Sequence, residues 1–160
     1  MPRIDADSAP LKTGSIYPAP YDAEVAGRSS LRLGDAGGLT QFGANIVILA
    51  PGAKSSLRHW HEAEDEFVMV TEGELVLIED AGETVMRPGE CAAFPAGRAD
   101  GHHFVNRSDA EARFLVVGTR AAHDVGQYSD VDLKVERRAG APPRFTLRDG
   151  TPYREPGENG

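Results

Sequence analysis

Cys91 is the sole cysteine among 160 residues, which excludes an internal disulfide and a multi-cysteine zinc site. Beside Ala92, Ala93 and Phe94, its thiol reads as packed and inert rather than nucleophilic. Positive charge is short as well: 17 Lys and Arg face 25 Asp and Glu, for a formal net charge of -8. Nucleic acid and anionic membrane both need a basic surface to displace counterions, so neither is expected as the main partner. Residues 1–10 mix Pro, Arg and Asp without the apolar stretch of a secretory signal, and no run elsewhere approaches a membrane span. The expected location is cytoplasmic. Helical periodicity is scarce too. At this length the chain is expected to form one domain with one sizeable core.

What the chain has instead is a series of short apolar runs separated by turn signals. The runs fall at 41–50, 57–61, 66–71, 74–79, 83–87, 91–95, 102–106 and 112–119. Between them stand Pro51-Gly52, Glu72-Gly73, Ala81-Gly82, Pro88-Gly89, Pro95-Ala96-Gly97 and Arg107-Ser108-Asp109. The first five supply the glycine freedom or fixed proline angle that reverses a chain tightly, and the last supplies the Ser and Asp side chains that favour turns. About eight strands at this spacing predict an all-β protein whose two sheets close into a small barrel. Residues 1–39, rich in Gly, Pro, Ser and Asp, are expected to wrap the barrel as an irregular arm. The barrel itself spans 40–120, and 121–160 forms a C-terminal extension. Val131, Leu133 and Val135 alternate with polar residues, as do Phe145 and Leu147, so one or two edge strands are expected there. Residues 153–160 read as frayed.

The chemistry concentrates in His59, Trp60 and His61, followed by Glu66 and later by His102. Alternate strand residues share a face, so His59 and His61 aim two imidazoles at one point while Trp60 and Arg58 point away. Residues 62–65 read as a turn, which returns the Glu66 carboxylate beside the pair from the next strand. Imidazoles joined by one carboxylate suit a divalent transition metal. Glu64 is close enough in sequence to support a ligand, Asn106 closes the turn into Arg107-Ser108-Asp109, and His123 is read as a surface residue.

Residues 51–74, PGAKSSLRHWHEAEDEFVMVTEGE, resemble the first signature of the cupin superfamily: glycine, His-x-His, glutamate, glycine. Residues 89–106, GECAAFPAGRADGHHFVN, are similar to the second: glycine, Pro-x-Gly, histidine, asparagine. The short interval between them resembles compact single-domain bacterial cupins. The resemblance implies a jelly-roll barrel with one metal at its mouth, held by His59, His61, Glu66 and His102. Two departures from the pattern stand out. The gap from Gly52 to His59 is one residue longer than the common form, and residues 98–101 lengthen the loop before two adjacent histidines. Adjacent strand residues face opposite ways, so one of His102 and His103 reaches the metal, and the spacing to Asn106 favours His102. Arg98 and Asp100 either line the mouth or form a solvated loop.

Three imidazoles and a carboxylate leave coordination positions open, the mark of a site that takes substrate. Iron or manganese stands slightly ahead of zinc, nickel and cobalt, because a carboxylate is present and no thiolate is. The ligands must be neutral imidazoles, so metal loss is expected below about pH 6. The expected activity is metal-dependent isomerase, lyase or dioxygenase chemistry on a polar small molecule, a sugar derivative or a hydroxy or keto acid. A non-catalytic small-molecule binding or sensory module is the alternative, and a scaffold with a vestigial site is disfavoured by the full ligand set. Exposed edge strands, and the habit of small cupins, make a homodimer the default assembly.

Overall fold

The computed structural model describes residues 3–155. Strands appear where the apolar runs predict them. Before the central region come β1 (Leu11–Thr13), β2 (Arg28–Leu31) and the single-turn α1 (Leu33–Ala36). The centre holds β3 (Phe42–Leu49), β4 (His59–His61), β5 (Glu66–Glu72), β6 (Leu75–Glu79), β7 (Gly82–Met86), β8 (Cys91–Phe94), β9 (His103–Val105) and β10 (Ala112–Thr119). It is followed by β11 (His123–Tyr128), β12 (Lys134–Arg138) and β13 (Arg144–Thr146).

One face is a sheet ordered β1-β2-β3-β10-β5-β8, and the other combines β13-β12-β11-β4 with β7-β6-β9. Bridges between Lys54 and Val105 and between His59 and His102 bring the last two sheets edge to edge. Period-two alternation turns Val68 and Val70 of β5 inward and leaves Phe67 exposed. Val47, Leu49, Leu75, Leu77, Phe104 and Phe114 fill one end between the sheets. Leu57, Tyr128, Leu133 and Val135, with Tyr17 and Phe145 against them, fill a second, smaller core. The cluster of His59, His61 and His102 is bordered by both, since His102 stacks on Phe94 of the first and the His59 ring lies 6.1 Å from Tyr128 of the second. Gly73 makes the β5–β6 reversal possible: its φ is +74°, and a Cβ there would stand 2.9 Å from the Ala112 backbone.

Several expectations need correction. The N-terminal arm is more regular than its composition implies, since β1 and β2 extend the first sheet through Leu31↔Ile46 and Leu11↔Leu31. The C-terminal extension supplies three strands rather than one or two. The missed strand, β11, turns Asp124, Gly126 and Tyr128 inward, so it lacks the apolar alternation that reveals a strand. Cys91 is exposed, not packed. It sits on β8 at a sheet edge, where Ala92 and Phe94 take the inward positions. Tyr153 is not frayed, because its hydroxyl donates to the Ala19 carbonyl at 2.8 Å and its ring lies 5.9 Å from Tyr21. Residues 156–160 lie outside the described residues.

Candidate metal centre

His59 and His61 share one face of β4, as alternation requires. Their ring centroids lie 5.0 Å apart, with the planes nearly perpendicular. His102 comes to them by strand pairing: its N–H donates to the His59 carbonyl at 2.9 Å, and the His59 N–H donates back to the His102 carbonyl at 3.1 Å. The two rings stand 5.1 Å apart. Glu66 opens β5 on the facing sheet, and its Oε2 lies 2.8 Å from His102 Nε2. One ligand-type atom from each of His59, Glu66 and His102 falls within 4.8 Å of the others. His103, one residue on, faces the other way and donates from Nδ1 to the Ser56 carbonyl at 3.0 Å.

The surroundings fix which nitrogen each ring offers. His59 Nδ1 donates to the Leu57 carbonyl at 2.9 Å, which leaves Nε2 without its proton. His61 Nδ1 meets Asp124 Oδ2 at 2.6 Å, which leaves its Nε2 in the same condition. Asp124 is buried and also accepts from the Ala63 N–H at 2.9 Å, so it is held in place to orient the ring. His61, Glu64 and Asp124 form a second close trio. Because Asp124 occupies His61 Nδ1, that trio serves to orient the imidazole. Phe94, the cross-strand partner of Glu66, stacks on His102 at 3.5 Å with planes 3° apart. His102 Nδ1 is buried without a partner.

Electrostatics holds His59 and Glu66 unprotonated at neutral pH and acts the other way on His61. Burial, then the neighbouring His61 and His102, holds the His59 imidazole down at about 3. Burial alone would raise the Glu66 carboxyl, but the hydrogen bond from His102 and the three imidazoles hold it at about 2. For His61, burial works downward and is outweighed by the Asp124 hydrogen bond and the Glu66 and Asp124 charges, which raise it. Two imidazoles with acceptors on Nδ1, a third against a carboxylate, and that carboxylate ionised form a donor set that fits a divalent transition metal.

These residues line a cavity of about 550 Å³ between the sheets. Ser55, Ser56, Asn45 and Glu64 add polar groups to its wall, β1, β2 and β12 contribute Lys12, Arg28, Arg137 and Arg138, and Arg32 joins them from the start of α1. Sequence reasoning missed both Asp124 and this basic wall, since neither carries a motif. Arg98 and Asp100 lie outside this cavity, in a small cleft shared with Trp60, Glu79, His61, Glu64 and His102, and Asp100 accepts from the Asp80 N–H at 3.0 Å. Arg58 on the outer face is engaged by Asp130 and Asp80. Asn106 is fully buried and closes its turn as expected, accepting from the Ser108 N–H at 3.0 Å. His123 is a surface residue paired with Glu136.

Known proteins resemble this chain in sequence and in fold. The Cupin domain family model matches residues 45–118. No curated protein matches the chain. Among solved structures, a sugar phosphate isomerase of the cupin superfamily from Silicibacter pomeroyi is 59% identical, with 96% of this chain and 97% of that one covered and a TM-score of 0.93. A proposed sugar phosphate isomerase from Acidithiobacillus ferrooxidans is 26% identical over 84% of this chain and 85% of that one, with a TM-score of 0.74. A polyketide cyclase from Streptomyces resistomycificus is 26% identical over 74% and 79%, with a TM-score of 0.59. The chain belongs to the cupin superfamily.

Proposed function

We propose that this protein is a metal-dependent isomerase of a phosphorylated sugar, with His59, His61, Glu66 and His102 as the metal ligands. The observation that carries this reading is that His59, Glu66 and His102 bring ligand-type atoms within 4.8 Å of one another, with the His61 ring 5.0 Å from that of His59, on one wall of a 550 Å³ cavity. The similarity to the Silicibacter pomeroyi sugar phosphate isomerase supports a sugar phosphate as the substrate class. Iron or manganese remains ahead of zinc, nickel and cobalt on ligand chemistry.

A bound divalent ion would supply Lewis acidity to neighbouring oxygens of the sugar. The protein's part is to hold the substrate, keep water out and move a proton. Aldose–ketose exchange requires a group that takes a proton from the carbon beside the carbonyl and returns it one carbon along. Glu64 lines the cavity beside the ligands, and its Oε1 accepts from the Ala121 N–H at 2.9 Å. Burial raises its carboxyl above the ordinary value, toward the working pH of a proton carrier. Screening aldose and ketose phosphates for interconversion, wild type against His61→Ala, tests the reading.

Phe42 and Phe67 are exposed on the outer side of the first sheet, with Val117 between them. A second copy covering this patch is the dimer we propose.

A further inference from the structure

We infer that Lys12, Arg28 and Arg137 form a seat for a phosphate monoester dianion in the wall of the cavity, built by the N-terminal arm and the C-terminal extension rather than by the cupin core. The inference deepens the sugar phosphate reading and rests on it for the sugar, whereas the seat itself is tested without turnover.

The cavity wall carries six cations, Lys12, Arg28, Arg32, Arg120, Arg137 and Arg138, against two carboxylates, Glu64 and Glu66. That concentration runs against a net charge of -8 for the whole chain. Three of the six already have a carboxylate partner: Asp35 engages both Arg32 and Arg120, and Glu136 engages Arg138. Among the described residues, Lys12, Arg28 and Arg137 have no carboxylate in ion-pair contact. Arg28 Nε is buried with no hydrogen-bond partner, an arrangement that costs free energy until a ligand supplies the acceptor.

Strand geometry puts the three on the cavity side. Arg28 and Ser30 alternate onto one face of β2, and Lys12 is the cross-strand partner of Ser30. Arg137 lies across from Asp124 and so shares the face from which Asp124 reaches His61. The cations feel one another. Burial and then Arg32, Arg28 and Arg137 push the Lys12 ammonium below its ordinary value. Arg28 lines the same cavity as Glu66, and burial, the largest influence on it, pushes its guanidinium below the ordinary value.

Two guanidinium forks and an ammonium match the several oxygens and double charge of a phosphate better than a single carboxylate. Asn45 Oδ1, a second buried atom without a partner in the same wall, offers an acceptor to a sugar hydroxyl. All three seat residues fall outside the 45–118 cupin match, so substrate choice in this chain is carried by its terminal additions.

Calorimetric titration of inorganic phosphate into the full-length, metal-stripped protein tests the seat. The expected result is saturable 1:1 binding, weakened at least about tenfold in Arg28→Gln and in Arg137→Gln, and unchanged in Arg98→Gln, which lies outside the cavity. Malonate is expected to bind more weakly than phosphate. Circular dichroism confirms that each variant is folded, and Arg28→Lys, which keeps the charge, retains part of the affinity. Absence of saturable phosphate binding, equal affinity in the folded glutamine variants, or malonate bound as tightly as phosphate overturns the proposal. Phosphate binding without turnover of any sugar phosphate leaves the seat standing and removes the isomerase reading; turnover without phosphate binding does the reverse.

Discussion

His59 and His102 are an antiparallel pair that exchange both backbone hydrogen bonds, at 3.1 and 2.9 Å, and bring their rings to 5.1 Å. Two donors far apart in sequence are thus set by backbone pairing, the most rigid positioning a β protein offers. The same pair joins the edges of two sheets, so the site stands on the seam that holds one face together.

Because the pairing is a backbone feature, removing one ring empties the site without unfolding it. His102→Ala and His61→Ala are each expected to leave the far-ultraviolet circular dichroism unchanged while metal content falls to a small fraction of wild type. Elemental analysis of purified protein checks this. Wild-type metal content in either variant removes that residue from the ligand set.

Asp124 accepts from His61 Nδ1 at 2.6 Å and fixes which nitrogen is free. Such supporting carboxylates contribute about 10–100-fold to metal affinity. Asp124→Asn is expected to weaken metal binding by roughly that factor, read by competition with a chelator. Unchanged affinity would make the contact purely structural.

The pH dependence follows from the same pair. Asp124 and Glu66 raise the His61 imidazole above 6.5, while His59 stays neutral down to about 3. As pH falls, His61 is therefore the first of the two to take a proton, and a protonated imidazole cannot ligate. Metal retention should fall between pH 8 and 5 and return at pH 8. Equal metal content after dialysis at both values would contradict this.

Asn106 holds the turn after β9 from within the core. Its Nδ2 donates to the Leu49 and Ala110 carbonyls at 2.9 and 2.7 Å, and its Oδ1 accepts from Ser108. Asn106→Ala leaves buried carbonyls unpaired, and we expect a loss on the order of 3 kcal/mol in urea unfolding. A change under about 0.5 kcal/mol would show the turn to be self-sufficient.

Sequence pattern revealed the central barrel because Val68, Val70, Leu75 and Phe114 alternate or cluster as buried strands must. His59 and His61 were readable as a same-face pair for the same reason, while the two-residue period admitted only one of His102 and His103 and the spacing to Asn106 favoured His102. Asp124 was not. It lies far along the chain from its partner His61, on a strand whose inward positions are Asp, Gly and Tyr, and only the β4–β11 pairing Gly126↔His61 brings it near. The basic wall escaped notice likewise, since Lys12, Arg28 and Arg137 become neighbours through strand pairing and not through any motif. Cys91 misled because its sequence neighbours are apolar while its own position on β8 faces outward.

The most direct test of the account is turnover of sugar phosphates by one preparation measured three times: as purified, after stripping with a chelator, and after return of iron or manganese. The account predicts interconversion of an aldose and ketose phosphate that is lost on stripping and restored by the metal. Turnover that survives complete stripping, or none with any sugar phosphate in the metal-loaded protein, would contradict it.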